Sequence, residues 1–315
     1  LTQNSLLEYG EPYFIWFFIM LLQKLKEHEL IHPPKWLPDN TIYLTIMGSV
    51  AYGVSSDTSD MDLYGFCMPP KELVFPHLAG EIPGFGRQIA RFEQWQEHHV
   101  KAPDSNQEYD FSVYSIVKYV SLCMENNPNM IDSLFTPRRC VIHSTAISEM
   151  IRERRKEFLH KGAWHKFKGY SYAQMHKLRG KSNASNPKRA ASIQEVGYDV
   201  KFAYHVVRLL SEVEQILIEG DLDLERNREQ LKAIRRGEWT IDQLEQHFAD
   251  KEAVLENVYA NSTLRHSPDE AKIKTLLIDC LEQHYGSLDK AIAKDKSSGQ
   301  LISELEAVLD RFRGA

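Results

Sequence analysis

The stretch TIYLTIMGSVAYGVSSDTSDMDLYGF, residues 41–66, decides the fold. An apolar, β-branched run ends in Gly48 and Ser49, passes through a small polar loop, and reaches two aspartates, Asp60 and Asp62. TIYLTIM at 41–47 fits a strand, and MDLYGFCM at 61–68, closed by Pro69 and Pro70, fits a second. Side chains alternate along extended chain, so Asp60 and Asp62 point to one face. A Gly-Ser turn that leads from a strand into a short helix presents backbone N–H groups and a hydroxyl, a seat for phosphate oxygens.

Single residues exclude two familiar alternatives. The glycines at 48 and 53 have P-loop spacing, but Val54 stands where the phosphate-reaching lysine must be. An EF-hand loop starting at Asp60 puts Gly65 correctly at its sixth position but Lys71 where a bidentate glutamate is required. What remains is a pair of close carboxylates. A hard divalent cation such as Mg²⁺ resolves their repulsion while also binding triphosphate. Two such ions about 3.5–4 Å apart stabilise both an attacking hydroxyl and a departing pyrophosphate.

The rest of the chain frames that stretch. With 315 residues, 43% hydrophobic and 26% charged, it has the size for two domains and the composition of a soluble globular protein. Cys67, Cys123, Cys140 and Cys280 lie far apart without a C-x-x-C pair, which suits a reducing cytoplasm better than a disulfide scaffold or zinc ribbon. The apolar run YFIWFFIMLL at 13–22 is shorter than the roughly 20 residues of a membrane span and lacks a signal-peptide leader. A helix over 5–31 is expected, then the proline-rich breaker HPPKWLPDN at 32–40.

Residues 76–106 read as a long connection that folds as a hairpin. A third strand at about 107–112, QEYDFS, leads into the helix VYSIVKYVSLCMEN at 113–126. After NPNMIDSLFTPRRCVI at 127–142 the pattern turns helical nearly to the end, interrupted by GKSNASNPKR at 180–189. The fold class is α+β, a small mixed sheet with flanking helices followed by an all-helical C-terminal domain. The expected divisions are an N-terminal helix at 1–35, the α/β unit at 36–143 and the helical unit at 144–315.

Charge is unevenly spread. From Ile151 to Arg189 twelve Lys or Arg face only Glu153 and Glu157, a local charge of +10 in a chain of net charge −6, so the remainder carries −16. Such asymmetry makes a local positive field able to attract triphosphate or a polynucleotide backbone. Trp164, Tyr170 and Tyr172 in that segment are either core residues or stacking platforms for bases. In GYDVKFAYHVVRLL at 197–210, helical spacing puts Lys201, His205 and Arg208 on one stripe opposite Val206, Leu209, Leu210 and Val213. That stripe is either a cationic surface or an exposed polar face in which Arg208 pairs with Glu212.

The order G-S-x-x-Y-G, a polar gap, then S-D-x-D-x-x-G closely resembles the signature of the DNA polymerase β-like nucleotidyltransferase superfamily. The later blocks YSIVKYVSLCMENNPNMIDSLF, FKGYSYAQMHK, GYDVKFAYHVVRLL and IRRGEW resemble the bacterial and phage YcgL or RlaP group, the RNA-ligase-associated branch, over roughly residues 40–285. The resemblance implies a polymerase β-like core with Gly48 and Ser49 on the triphosphate and with Asp60 and Asp62 on Mg²⁺ or Mn²⁺. It calls for a third carboxylate on a later strand, for which Asp110 is the choice and Glu108 the reserve. It also implies that Lys177, Lys201, His205 and Arg208 contact phosphate or acceptor. The activity implied is template-independent transfer of a nucleotide from an NTP to an acceptor, with an RNA end expected. A protein or small-molecule acceptor, or a non-catalytic nucleotide or RNA sensor, are the alternatives.

Overall fold

The structure, a computed structural model, describes residues 20–55, 60–75, 90–103, 107–180 and 187–287. Five strands, β1 (Thr41–Ile46), β2 (Met61–Cys67), β3 (Gln94–Lys101), β4 (Glu108–Ser115) and β5 (Val141–Ser144), form one mixed sheet in the order β3-β4-β2-β1-β5. β1 runs antiparallel to both β2 and β5, and β3 runs antiparallel to β4. The β2–β4 pair is parallel. β1 is buried at all six positions, as an unbroken apolar run requires of a strand covered on both faces. At the start of β2, Met61 and Leu63 are buried while Asp62 and Tyr64 are half-buried, so the two-residue period turns the aspartate away from the core.

The first half also carries the single-turn helices α1 (Leu37–Asn40), α2 (Gly48–Ala51) and α3 (Lys71–Val74), then α4 (Ile116–Met124), α5 (Pro128–Phe135) and α6 (Ala146–Glu153). α1 interrupts the expected irregular segment at 32–40, because Pro38 sits in its first turn, where a missing N–H costs nothing. β4 runs on to Ser115 before α4 begins, three residues later than the expected helix. Val113, Tyr114 and Ser115 are held in the ladder with β2, and the Ser115 hydroxyl accepts from Lys118 N–H to cap α4. β3 lies within the expected connection and pairs as a hairpin with β4 rather than within 76–106 alone. Of the connection around it, residues 76–89 and the tip at 104–106 lie outside the described residues. In the segment at 127–142, α5 starts behind the Asn127 cap and β5 begins at Val141. Residues 20–27 are helical. The remainder of the expected N-terminal helix through residue 19, and most of the apolar run at 13–22, lie outside the described residues.

From α7 onward the described chain is helical: α7 (Ala163–Arg179), α8 (Pro187–Val196), α9 (Val200–Glu219), α10 (Arg228–Arg235), α11 (Ile241–Asn261) and α12 (Glu270–Tyr285). α9 is central, packed by α7, α10 and α11. Its Asp199 cap and the left-handed Gly220 after its last turn fix both ends. The core runs without a break from sheet to helices. Tyr43, Phe66 and Tyr119 stack with centroids 5.2 and 4.4 Å apart, tying β1 and β2 to α4. α12 packs on α4 and α6, and its Tyr285 hydroxyl donates to the carbonyl of Pro69. Among the described residues no helix is long and apolar enough to cross a membrane. All four cysteines are free and buried, and burial pushes the Cys140 and Cys280 thiols up to about 11.

Packing pairs several cations of the basic segment. Lys168 pairs with Glu252 and Glu256 at 2.8 and 2.6 Å, Arg179 with Glu245 at 2.8 Å, Lys166 with Glu125 at 3.0 Å and Lys156 with Asp221 at 2.5 Å. Arg154 pairs with Glu157, Arg152 is buried against the Tyr43 hydroxyl, and Lys161 is buried beside Tyr259. Carboxylates from elsewhere in the chain thus offset part of the field that the charge run implies. Of the aromatic candidates Trp164 is core, 1% exposed, whereas Tyr170 and Tyr172 are 38% and 44% exposed.

Candidate active site

The site is built where β1 ends and the parallel strands β2 and β4 begin. β1 turns at Met47, whose N–H donates to the Asp62 carbonyl at 2.7 Å, and Gly48 follows at φ 64°. Only glycine is at ease there, and a Cβ on Gly48 would overlap the Asp62 carboxylate. Ser49 is half-buried beside it in α2. The Gly-Ser turn and the second aspartate of the pair are therefore packed against each other by backbone geometry.

Asp62 and Asp110 are register partners on the parallel strands β2 and β4. Burial, then the Asp110 carboxylate, pushes the Asp62 carboxyl up to about 6, with Lys201 drawing it back down, Asp60 raising it and His98 lowering it. Asp60 stands exposed one residue before β2. Glu108 lies on the same face of β4 as Asp110, but its carboxylate is 2.6 Å from His99 Nδ1, and its partner in the ladder is Lys101. Asp110, not Glu108, is opposite Asp62.

These donors suit a hard divalent cation. Half-buried carboxylates held side by side, one of them biased toward its protonated form, are a pair whose repulsion a cation relieves, and oxygen is the ligand that Mg²⁺ and Mn²⁺ prefer. Among the described residues no three His, Cys, Asp or Glu side chains close on one point, so the geometry presents an adjacent pair with Asp60 at its edge.

The cationic stripe of α9 divides. Lys201 is exposed and acts on Asp62. His205 is half-buried and driven well below its ordinary range by burial and then by Arg208, Lys201, Arg235 and Lys177, so its imidazole is neutral at pH 7. Lys177, on α7, lies 5.6 Å over the Phe202 ring. Arg208 is turned inward, 4% exposed. Its guanidinium donates to Asp132 and, at 2.8 and 2.9 Å, to Glu212, while its face covers the Tyr52 ring at 4.4 Å. The Tyr52 hydroxyl donates to the same Asp132 oxygen at 2.8 Å. Arg208 thus pairs with Glu212, as helical spacing allows, and meets the glycine turn through Tyr52, leaving its charge no open face toward a ligand.

Sequence reasoning missed three features. Arg235, inside the block IRRGEW, stands 5.4 Å over the Tyr204 ring, and Tyr204 is itself within electrostatic reach of both Arg235 and Asp62. Its place at the last residue of α10, beside α9, is the signal that a lone basic pair in sequence does not give. His98 and His99 lie in a segment read as a connection, and only the strand pairing brings them to Asp110. Asp132 has no neighbour in sequence that predicts its burial against Arg208.

The fold and the family together define a DNA polymerase β-like nucleotidyltransferase. The chain belongs to the RlaP family, the RNA repair pathway DNA polymerase beta family, whose profile matches residues 20–279. Among solved structures a match is the nucleotidyltransferase-like protein from Exiguobacterium sibiricum 255-15, 9% identical, covering 84% of this chain and 79% of that one with a TM-score of 0.27. At that distance the likeness carries nothing about residue roles. Comparison with curated proteins gives no match.

Proposed function

We propose that the protein transfers an NMP from an NTP to an acceptor oxygen, with release of pyrophosphate, and that the acceptor is an RNA end. The observation that carries the reading is the in-register pair Asp62 and Asp110, with Lys201 facing it from α9. Asp60, Asp62 and Asp110 would hold Mg²⁺ or Mn²⁺, which when bound neutralises triphosphate charge and lowers the pKa of an attacking hydroxyl. Gly48 leaves room for the triphosphate, and the Ser49 hydroxyl donates to it. Lys177, Lys201 and Arg235 stabilise charge on the departing pyrophosphate, as cations do in phosphoryl transfer generally. The neutral His205 supplies a hydrogen bond without adding charge. Arg208 serves the site from behind, by holding Tyr52 and α9 together.

RNA as acceptor rests on the family description, RNA repair pathway. We assign residues 36–143 to the nucleotidyltransferase unit, 144–315 to the helical unit and 1–35 to an N-terminal element. We place the protein in the cytoplasm because its four buried thiols are unpaired.

The test is incubation with each NTP labelled at the α-phosphate, Mg²⁺ or Mn²⁺, and RNA, DNA or protein acceptors, beside Asp62→Ala and Asp110→Ala. Label on RNA that both substitutions abolish supports the reading. Label on protein alone reassigns the acceptor, and tight NTP or RNA binding without transfer in any arm makes the chain a sensor.

A further inference from the structure

Strand β3 is irregular beside the carboxylates. Its pairing with β4 shifts between Glu97 and Val100, and within that bulge His99 adopts φ 58°. A non-glycine residue rarely accepts this left-handed conformation, and such strain persists only where surrounding contacts hold it. Two contacts do. The His99 backbone N–H donates to Asp110 Oδ1 at 2.7 Å, and its ring Nδ1 lies 2.6 Å from Glu108 Oε1. A regular antiparallel pairing would aim that N–H at the facing strand's carbonyl or at solvent, not at a side chain.

The two contacts are unequal. The His99 ring is 81% exposed and its Glu108 partner 25% exposed, so they form a surface pair of the kind that contributes little. The backbone bond ends on a carboxylate that is 24% exposed and stands opposite Asp62, whose charge would otherwise swing it outward. Bulges recur next to active sites because they re-aim side chains.

We propose that the His98–His99 bulge is a positioning device for the third carboxylate: the strained N–H of His99 fixes Asp110 toward Asp62. The proposal rests on the reading of Asp110 as a cation ligand. It makes His99 essential through its backbone conformation rather than its imidazole.

The experiment measures Mn²⁺ affinity of the full chain without nucleotide, by loss of the free-ion paramagnetic resonance signal, for wild type, Asp110→Ala and a series at position 99. His99→Gly and His99→Asn accept φ near 60° and keep the N–H, so both should bind Mn²⁺ within about twofold of wild type. His99→Ala should fall between these and His99→Val. The β-branched valine, which edge strands accept but the left-handed region does not, should lose roughly tenfold, as when an outer-shell partner of a ligand is removed. Melting curves on the same samples should rank glycine above wild type. If Asp110→Ala binds Mn²⁺ like wild type, the reading of Asp110 fails. If Asp110→Ala loses binding while the series at 99 is flat, or glycine falls as far as valine, the positioning proposal is overturned. Should valine prove unfolded, a loss in glycine and asparagine equal to that in alanine overturns it.

Discussion

Asp62 and Asp110 sit directly opposite each other across the parallel pair β2 and β4, so backbone pairing, not side-chain contact, holds two carboxylates together. Like charges placed this way store repulsion in the metal-free protein. Asp62→Asn should therefore raise the melting temperature in chelator by a few degrees, while label transfer falls about 100- to 1,000-fold. Thermal denaturation and the transfer assay on one preparation check both signs.

Gly48→Ala should act in the opposite sense on stability. Its methyl would overlap the Asp62 carboxylate and its backbone would be strained at φ 64°. A loss of about 1–3 kcal/mol is expected, together with loss of nucleotide binding. Denaturant unfolding and titration with a fluorescent NTP read the two effects separately.

Arg208 and Lys201 should separate, although one helix carries both. Arg208→Met leaves Asp132 and Glu212 buried without their cation and should cost about 3–5 kcal/mol. Lys201→Ala, on an exposed residue, should change stability by no more than about 0.5 kcal/mol. It should nevertheless raise the KM for NTP roughly tenfold, as should Arg235→Ala. A KM effect of Arg208→Met without a stability loss would contradict its placement.

The Arg208 cluster also carries a pH dependence. Burial raises the Glu212 carboxyl above its unfolded value of 4.5, with Arg208 opposing and Asp132 adding to the rise. The folded chain thus keeps a proton that the unfolded chain gives up at lower pH. Its stabilising contribution is complete below the unfolded value and is lost as pH climbs toward the folded one. Glu212→Gln, which cannot ionise, should match wild type near pH 5 and melt higher than it near pH 9.

The sheet was legible where its period was undisturbed. TIYLTIM and MDLYGFCM declare strands because burial on one or both faces dictates their apolar pattern, and Asp60 and Asp62 mark where the second begins. QWQEHHVK did not declare itself: an edge strand with six polar residues of eight lacks that signal, and its bulge cancels the alternation. Asp110 could be preferred over Glu108 but not separated from it, since both share a face; the register with β2 separates them. The inward turn of Arg208 depends on Asp132, 76 residues earlier, and the pairing of Lys168 and Arg179 in the charge run depends on Glu245, Glu252 and Glu256 of α11. No local window contains those partners.

The bond from Tyr285 to the carbonyl of Pro69 joins residues 216 apart in sequence. The segment that follows β2 waits for a partner made near the end of the described chain. Pairings of such separation slow folding, because the loop must close before the contact is gained. During synthesis the segment after β2 therefore emerges well before α12, and its Pro69 carbonyl gains this partner only once Tyr285 has been made.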